Sequence, residues 1–158
     1  MKLTLSVLEL DLPEIEKRIE RFIKKYVENS GSDGIIVGLS GGIDSSTTAA
    51  LCSLSIGGER VLGLVLPEKE TYNPHDIEDA KLVAEKFGLK TQICDITPVL
   101  ESFYKTIPIF DHADRRCKGN IKARTRMIYL YYYTNKLNRI VCGSSDKSET
   151  MMGYFTKW

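Results

Sequence analysis

An α/β fold, a parallel sheet in a three-layer arrangement with helices on both faces, is what the sequence predicts. Three observations lead to it. Apolar β-branched runs alternate with helical stretches along the chain. Two of those runs, at 35–37 and 61–66, are apolar nearly throughout, as expected of strands covered on both faces. A Ser40-Gly41-Gly42 turn joins the first run to a helix-forming stretch. Such alternation argues for parallel pairing with right-handed crossovers. Ligands of these sheets bind beyond the carboxyl ends of the strands.

The elements follow from local signals. Residues 1–12 are apolar but aperiodic and read as a lead-in or a partner-contacting arm. Pro13 favours a helix start, where its missing N–H costs nothing. From 14 onward Ile15, Ile19, Phe22, Ile23, Tyr26 and Val27 form one apolar face, and the charged residues between them a solvated one. The polar stretch 29–34 turns the chain into the first strand. A helix over 44–55 carries small residues at 47–50 that permit close packing on the sheet. The second strand spans 60–66 and stops at Pro67. Asn73-Pro74 reads as an N-cap followed by a first-turn proline. The helix it opens runs to Phe87, with Ile77, Ala80, Leu82, Val83, Ala84 and Phe87 as its apolar set, and Gly88 ends it. A third strand over 90–96, a short helix over 97–106, a polar loop over 108–119, a helix over 120–136 and a fourth strand over 139–143 complete the order. One rim then gathers 40–46, 66–73 and 143–149.

Composition sets bounds. The 158 residues suffice for one domain with a sizeable core. A net charge of +1 gives no basis for bulk attraction to nucleic acid or a membrane surface. No apolar run approaches the ~20 residues of a membrane span, and the N-terminus lacks the apolar core of a signal peptide. Cys52, Cys94, Cys117 and Cys142 are widely spaced without a CxxC pair. They read as free thiols of a reducing cytosol, Cys117 exposed in a polar loop and the others small buried hydrophobes.

The stretch Gly38-Leu39-Ser40-Gly41-Gly42-Ile43-Asp44-Ser45 has the layout of a phosphate cradle. The strand holds the loop, and two glycines let the backbone approach an anion. The helix behind offers N–H groups and a positive dipole end. Ser40, Ser45 and Ser46 are expected to add hydroxyl donors. Asp44 would repel phosphates unless a cation lay between them, so it reads as a Mg²⁺ ligand; as a plain N-cap it would need no ligand at all. The loop is not a Walker A motif, because the lysine of GxxxxGK[ST] is absent.

A second cluster lies at 119–127, Gly-Asn-Ile-Lys-Ala-Arg-Thr-Arg-Met. On a helical period Ile121, Arg124, Ile128 and Tyr131 share a stripe expected to face inward. Arg124 would then be partly buried and in need of an anion, either a core carboxylate or a substrate group held bidentately. Lys122 and Arg126 fall elsewhere and read as solvated or at a subunit contact. On the last rim segment, Glu149 reads as a first-turn helix carboxylate or as a companion of Asp44 on one Mg²⁺–phosphate cluster.

Ser40-Gly41-Gly42-Ile43-Asp44-Ser45 matches the SGGxDS loop of the ATP pyrophosphatases, a group with an adenine-nucleotide-hydrolase-like fold. Within that group the chain resembles the ammonia-dependent NAD synthetases. Residues 38–45 are similar to their ATP loop, and 119–127 to their GNxxARxRM segment. Ser148-Glu149 with Gly153-Tyr154-Phe155-Thr156-Lys157 resembles their SExxxGYFTK stretch, and Leu66-Pro67 with Asp76, Asp79 and Ala80 also fits. The resemblance runs from about residue 14 to the end of the chain. It implies a single domain over 1–158, C-terminally short relative to the family.

The resemblance implies that Gly38, Leu39, Ser40, Gly41, Gly42, Ile43, Asp44, Ser45 and Ser144 contact ATP. Ser144 stands where a threonine is common and keeps the hydroxyl. By the same resemblance Asp44 and Glu149 bind Mg²⁺, and Arg124 and Lys157 contact deamido-NAD. The implied enzyme is a cytoplasmic ligase, a homodimer like its relatives, that forms a C–N bond: deamido-NAD is adenylated by ATP and then amidated by ammonia. No protein nucleophile is required, and no Cys/His arrangement suggests a glutaminase. Two alternatives stand beside this. A tRNA-modifying ATP pyrophosphatase would want a basic surface and often a catalytic cysteine, against which the charge speaks. A non-catalytic nucleotide-binding fragment or subunit would bind ATP without releasing pyrophosphate.

Overall fold

The computed structural model describes residues 9–157. The expectation of an N-terminal arm therefore lies mostly outside the described residues. Four strands, β1 (Gly34–Gly38), β2 (Val61–Val65), β3 (Lys90–Ile93) and β4 (Arg139–Cys142), form one parallel sheet in the order β3-β2-β1-β4. Among the described residues six α-helices accompany them: α1 (Leu12–Ser30), α2 (Ile43–Ile56), α3 (Pro74–Phe87), α4 (Thr97–Thr106), α5 (Arg115–Lys136) and α6 (Lys147–Met152). Successive strands step outward from β1 to β3, and the chain then returns to place β4 on the other side of β1. The switch point of the sheet therefore lies between β1 and β4, where α/β sheets open a ligand crevice.

The side-chain alternation of β1 divides the core into two layers. Ile35 and Val37 pack with Val27 of α1, Ala49 and Cys52 of α2, and Ala80 and Ala84 of α3. Ile36 packs on the opposite face with Leu64, Ile96 and Leu100, against Tyr129, Leu130 and Tyr133 of α5. All three β1 residues are buried, each contributing about 1.5–3 kcal/mol of apolar transfer energy. Of the small residues at 47–50, Ala49 is fully buried against the core, Thr48 and Ala50 are half-buried and Thr47 is exposed; Cys52, further along α2, is fully buried as well.

Local chemistry sets most boundaries. Asp11 caps α1 by accepting from the Glu14 N–H at 3.1 Å, and Gly31 ends it in the left-handed conformation. Asn73 caps α3 with Pro74 in first position. Beyond β3, bonds from Cys94 N to Val65 O and from Ile96 N to Pro67 O extend the pairing to the predicted end at Ile96. Among the described residues, no helix is long and apolar enough to cross a membrane.

Three expectations need correction. The loop predicted over 108–119 is helical from Arg115, because the Asp114 carboxylate caps the Cys117 N–H at 2.9 Å. Gly119, the last residue of that expected loop, sits within α5 on an open side. Cys117 is exposed as predicted, but on that helix. Second, the apolar faces are narrower than the pattern suggests: Phe22, Tyr26 and Leu82 are more than half exposed. Third, α5 presents a different face to the sheet. Ile128 and Tyr131 are exposed, whereas Ile121, Thr125, Tyr129 and Tyr133, spaced four apart, turn inward. The tyrosine run divides accordingly, with Tyr132 outside at 65% exposure.

Candidate functional site

The turn from β1 into α2 is fixed by its own serines. Ser45, buried at the first turn of α2, donates through Oγ to Gly42 O at 3.0 Å and accepts from the Ser40 N–H at 3.2 Å. Ser40 Oγ lies 3.1 Å from Ser45 Oγ and accepts from the Gly42 N–H at 3.3 Å. Ser46 Oγ donates to Gly42 O at 2.8 Å. The serine hydroxyls, expected to be anion donors, thus spend their bonds shaping the loop. Gly41 is required here twice over. Its φ is +82°, and a Cβ would come within 2.6 Å of the Asp76 carbonyl oxygen in α3.

Gly42 is the N-cap of α2 and supplies no side chain, so Asp44 is not the cap. The first backbone bond of the helix runs from Ser46 N to Gly42 O. The N–H groups of Ile43, Asp44 and Ser45 therefore lack a side-chain acceptor, unlike the start of α1, α3, α5 and α6, which are capped by Asp or Asn. An uncapped helix start at the switch point of the sheet turns its positive dipole end and its backbone donors toward the crevice, an arrangement that suits an anion.

Two clefts meet at this loop, and Ser40, Ser45 and Ser144 line both. The first, about 420 Å³, runs over β1 and β2 between apolar Leu39, Leu64, Leu66, Ile77 and Leu130, with Arg126, Asn73 and Asp76 on its walls. The second, about 380 Å³, holds Asp44 and Glu149 together with Ser145 and Thr156. All three rim segments predicted from the strand ends thus reach the clefts.

Glu149 is the third helical residue of α6 and closes a capping box. Its N–H donates to Asp146 Oδ1 at 2.7 Å, and its Oε2 accepts from Asp146 N at 3.2 Å. Oε1 remains outside that box. Among the described residues no group of three or more His, Cys, Asp or Glu side chains is arranged for a metal. Two carboxylates on one cleft beside an anion site nonetheless suit Mg²⁺, which takes one or two protein carboxylates and completes its shell with phosphates and water.

Arg124 is not the inward residue its stripe suggested. It is exposed, and its Nη2 donates to the Lys157 carbonyl oxygen at 2.9 Å. The rotation of α5 turns it out, yet the same rotation joins the two residues read as contacts for deamido-NAD. Lys122 and Arg126, read as solvated or at a subunit contact, face inward instead. Lys122 Nζ donates to Glu68 Oε1 at 2.7 Å and to Glu70 Oε2 at 2.8 Å.

Glu68 drew no attention in the sequence and is 3% exposed. It also accepts from the Glu70 N–H at 2.8 Å, the Thr71 N–H at 3.1 Å and Thr71 Oγ1 at 2.6 Å. Burial opposes its charge, but the bonds from Lys122, Thr71 and Glu70 outweigh burial and hold its carboxyl below the usual glutamate range. Hydrogen bonds from Lys118 and Lys122 bring the Glu70 carboxyl down to about 2. The available signal was the Pro67-Glu68 step directly after a buried strand, on the rim where ligands bind.

The NAD synthase family profile matches residues 15–158. The NH3-dependent NAD(+) synthetase of Hyperthermus butylicus is 44% identical over the whole chain. The chain spans 57% of that relative's length. Among solved structures, the glutamine-dependent NAD+ synthetase from Acinetobacter baumannii in complex with ADP superposes with a TM-score of 0.89 at 35% identity, covering 94% of this chain and 28% of that one. NMN synthetase from Francisella tularensis gives 0.86 at 32%, covering 94% and 60%. These likenesses also establish the adenine-nucleotide-hydrolase-like fold. With its profile matched from α1 to the end of the sequence, the chain belongs to the NAD synthase family.

Proposed function

We propose that this chain carries the ATP pyrophosphatase chemistry of an ammonia-dependent NAD synthetase, a ligase that amidates deamido-NAD to NAD and releases AMP and pyrophosphate. The observation that carries this reading is the uncapped start of α2 at the sheet's switch point, facing the cleft that Asp44 and Glu149 share. Residues 38–45 and Ser144 bind ATP, its nucleoside in the apolar cleft and its phosphates over α2. Arg124 and Lys157, next in sequence to Ala123 and Thr156 of the second cleft, hold deamido-NAD. The whole chain acts as one domain of a cytoplasmic homodimer, a reading supported by exposed Ile128, Tyr131 and Tyr132 on α5.

In the first step a carboxylate oxygen of deamido-NAD attacks the α-phosphorus of ATP. The bond from that phosphorus to the bridging oxygen breaks, and pyrophosphate leaves. The preorganised N–H groups of α2 stabilise the charge that develops on the phosphates. Asp44 and Glu149 would hold Mg²⁺, which when bound neutralises phosphate charge and polarises the phosphoryl oxygens. In the second step ammonia attacks the carboxyl carbon of the mixed anhydride, AMP departs, and nitrogen loses a proton. The serine network keeps the loop rigid through both steps. A mononucleotide acid in place of deamido-NAD is the second reading, favoured by the likeness to the NMN synthetase.

Pyrophosphate release from ATP with Mg²⁺ and ammonia tests the reading. Release is expected to depend on deamido-NAD and to fall about a hundredfold or more in Asp44→Asn. Dependence on nicotinate mononucleotide alone would favour the second reading. Unchanged turnover in Asp44→Asn would refute the metal role, and ATP binding without release would make the chain a nucleotide-binding unit.

A further inference from the structure

Arg126 stands in the wall of the first cleft, on the side of α5 that faces the sheet. Its Nε donates to the Leu66 carbonyl oxygen at 3.2 Å, which anchors the guanidinium beneath the 66–73 segment. Among the described residues no carboxylate lies within ion-pair distance of it. Glu68 attracts it from further off, but the Glu68 oxygens are already occupied by Lys122, Thr71 and the Glu70 N–H. Burial pushes the Arg126 pKa below the ordinary arginine value, and the Glu68 charge opposes that shift. A half-buried cation without a close counterion is costly unless an anion comes to it. The cleft it lines also reaches Ser40 and Ser144, beside the helix start that attracts anions.

We infer that Arg126 binds a phosphate group of the nucleotide in this cleft. This rests on the ATP reading above and adds a residue to it. Nε is held by the backbone, which leaves the two terminal nitrogens of a planar fork suited to phosphate oxygens. The apolar walls suit the base, so the charge serves the other end of the ligand.

Equilibrium titration of the whole chain with ATP in Mg²⁺, and separately with adenosine, provides the test. Arg126→Gln should weaken ATP binding by about ten- to a hundredfold, the loss expected for hydrogen bonds to a charged group, and leave adenosine binding unchanged. Arg126→Lys keeps the charge and stem and should weaken ATP less. Equal weakening of ATP and adenosine would overturn the inference, since a base contact or a packing role predicts it. Wild-type protein that binds ATP no better than Arg126→Gln would overturn the inference alone. Wild-type protein that binds neither ligand would overturn the nucleotide reading and the inference with it. Unchanged adenosine binding by Arg126→Gln, with thermal melts of Arg126→Gln and Arg126→Lys that match wild type, supports the inference by showing that the loss of ATP affinity occurs in folded protein.

Discussion

Replacing Lys122 with Met should destabilise the protein through a carboxylate left behind in the core. The side chain of Glu68 is 2% exposed, and Lys122 reaches it at 2.7 Å. Orphaning one partner of a buried pair costs about 3–5 kcal/mol. Glu68 retains two N–H groups and a hydroxyl, so the cost here falls to about 2–3 kcal/mol. The second contact of Lys122, with Glu70, involves a side chain 43% exposed and adds at most about 1 kcal/mol. A total near 3 kcal/mol lowers Tm by about 6–12 °C in a domain of this size. Circular dichroism melts at pH 7 measure it, with Glu68→Gln and the double variant completing a cycle. Because Glu68→Gln removes the stranded charge, the double variant should be more stable than Lys122→Met alone. A shift smaller than about 2 °C, or a double variant that is less stable still, would refute the argument.

Two further outcomes follow from the same geometry. Gly41→Ala places a Cβ 2.6 Å from the Asp76 carbonyl oxygen at a φ of +82°, which should cost about 1–3 kcal/mol or more and abolish ATP binding; melts and titration check both, and unchanged values would refute the close approach. Acid should also destabilise the cluster. Glu68 and Glu70 have folded pKa values below the ordinary 4.5, so their contribution is present above that value and is lost as pH falls through the folded values, about 2 for Glu70. Melts from pH 6 to pH 2 should show the loss, with a shallower slope in Lys122→Met. Equal slopes would contradict it.

Much of the site was legible because it is local. The Ser40-Gly41-Gly42 turn lies between an apolar strand and a helix, and sequence order alone puts a helix start behind it. Asn73-Pro74 and Gly88 bracket α3 by dihedral preference, without help from the rest of the fold. The capping box of Asp146 and Glu149 is likewise written in four residues. The parallel sheet followed from alternation, since each strand had to be covered on both faces.

What local pattern could not settle was the rotation of α5. Arg124, Ile128 and Tyr131 form a plausible inward stripe, and a helical period alone does not choose between that stripe and the one through Ile121, Thr125 and Tyr129. In the observed rotation the carboxylate of Glu68, more than fifty residues earlier in the chain, accepts from the Lys122 ammonium, while Ile121, Tyr129, Leu130 and Tyr133 pack on the core. The sequence by itself therefore determined the fold class, the segments gathered on the rim and the glycine-serine turn that opens α2, because these rest on short-range propensity and hydrophobic period. Only the tertiary structure decided that Lys122 and Arg126 point inward and Arg124 outward, because that rotation is set by contacts between segments distant in the chain: the packing of Tyr129, Leu130 and Tyr133 on the sheet and the bond from Lys122 to Glu68.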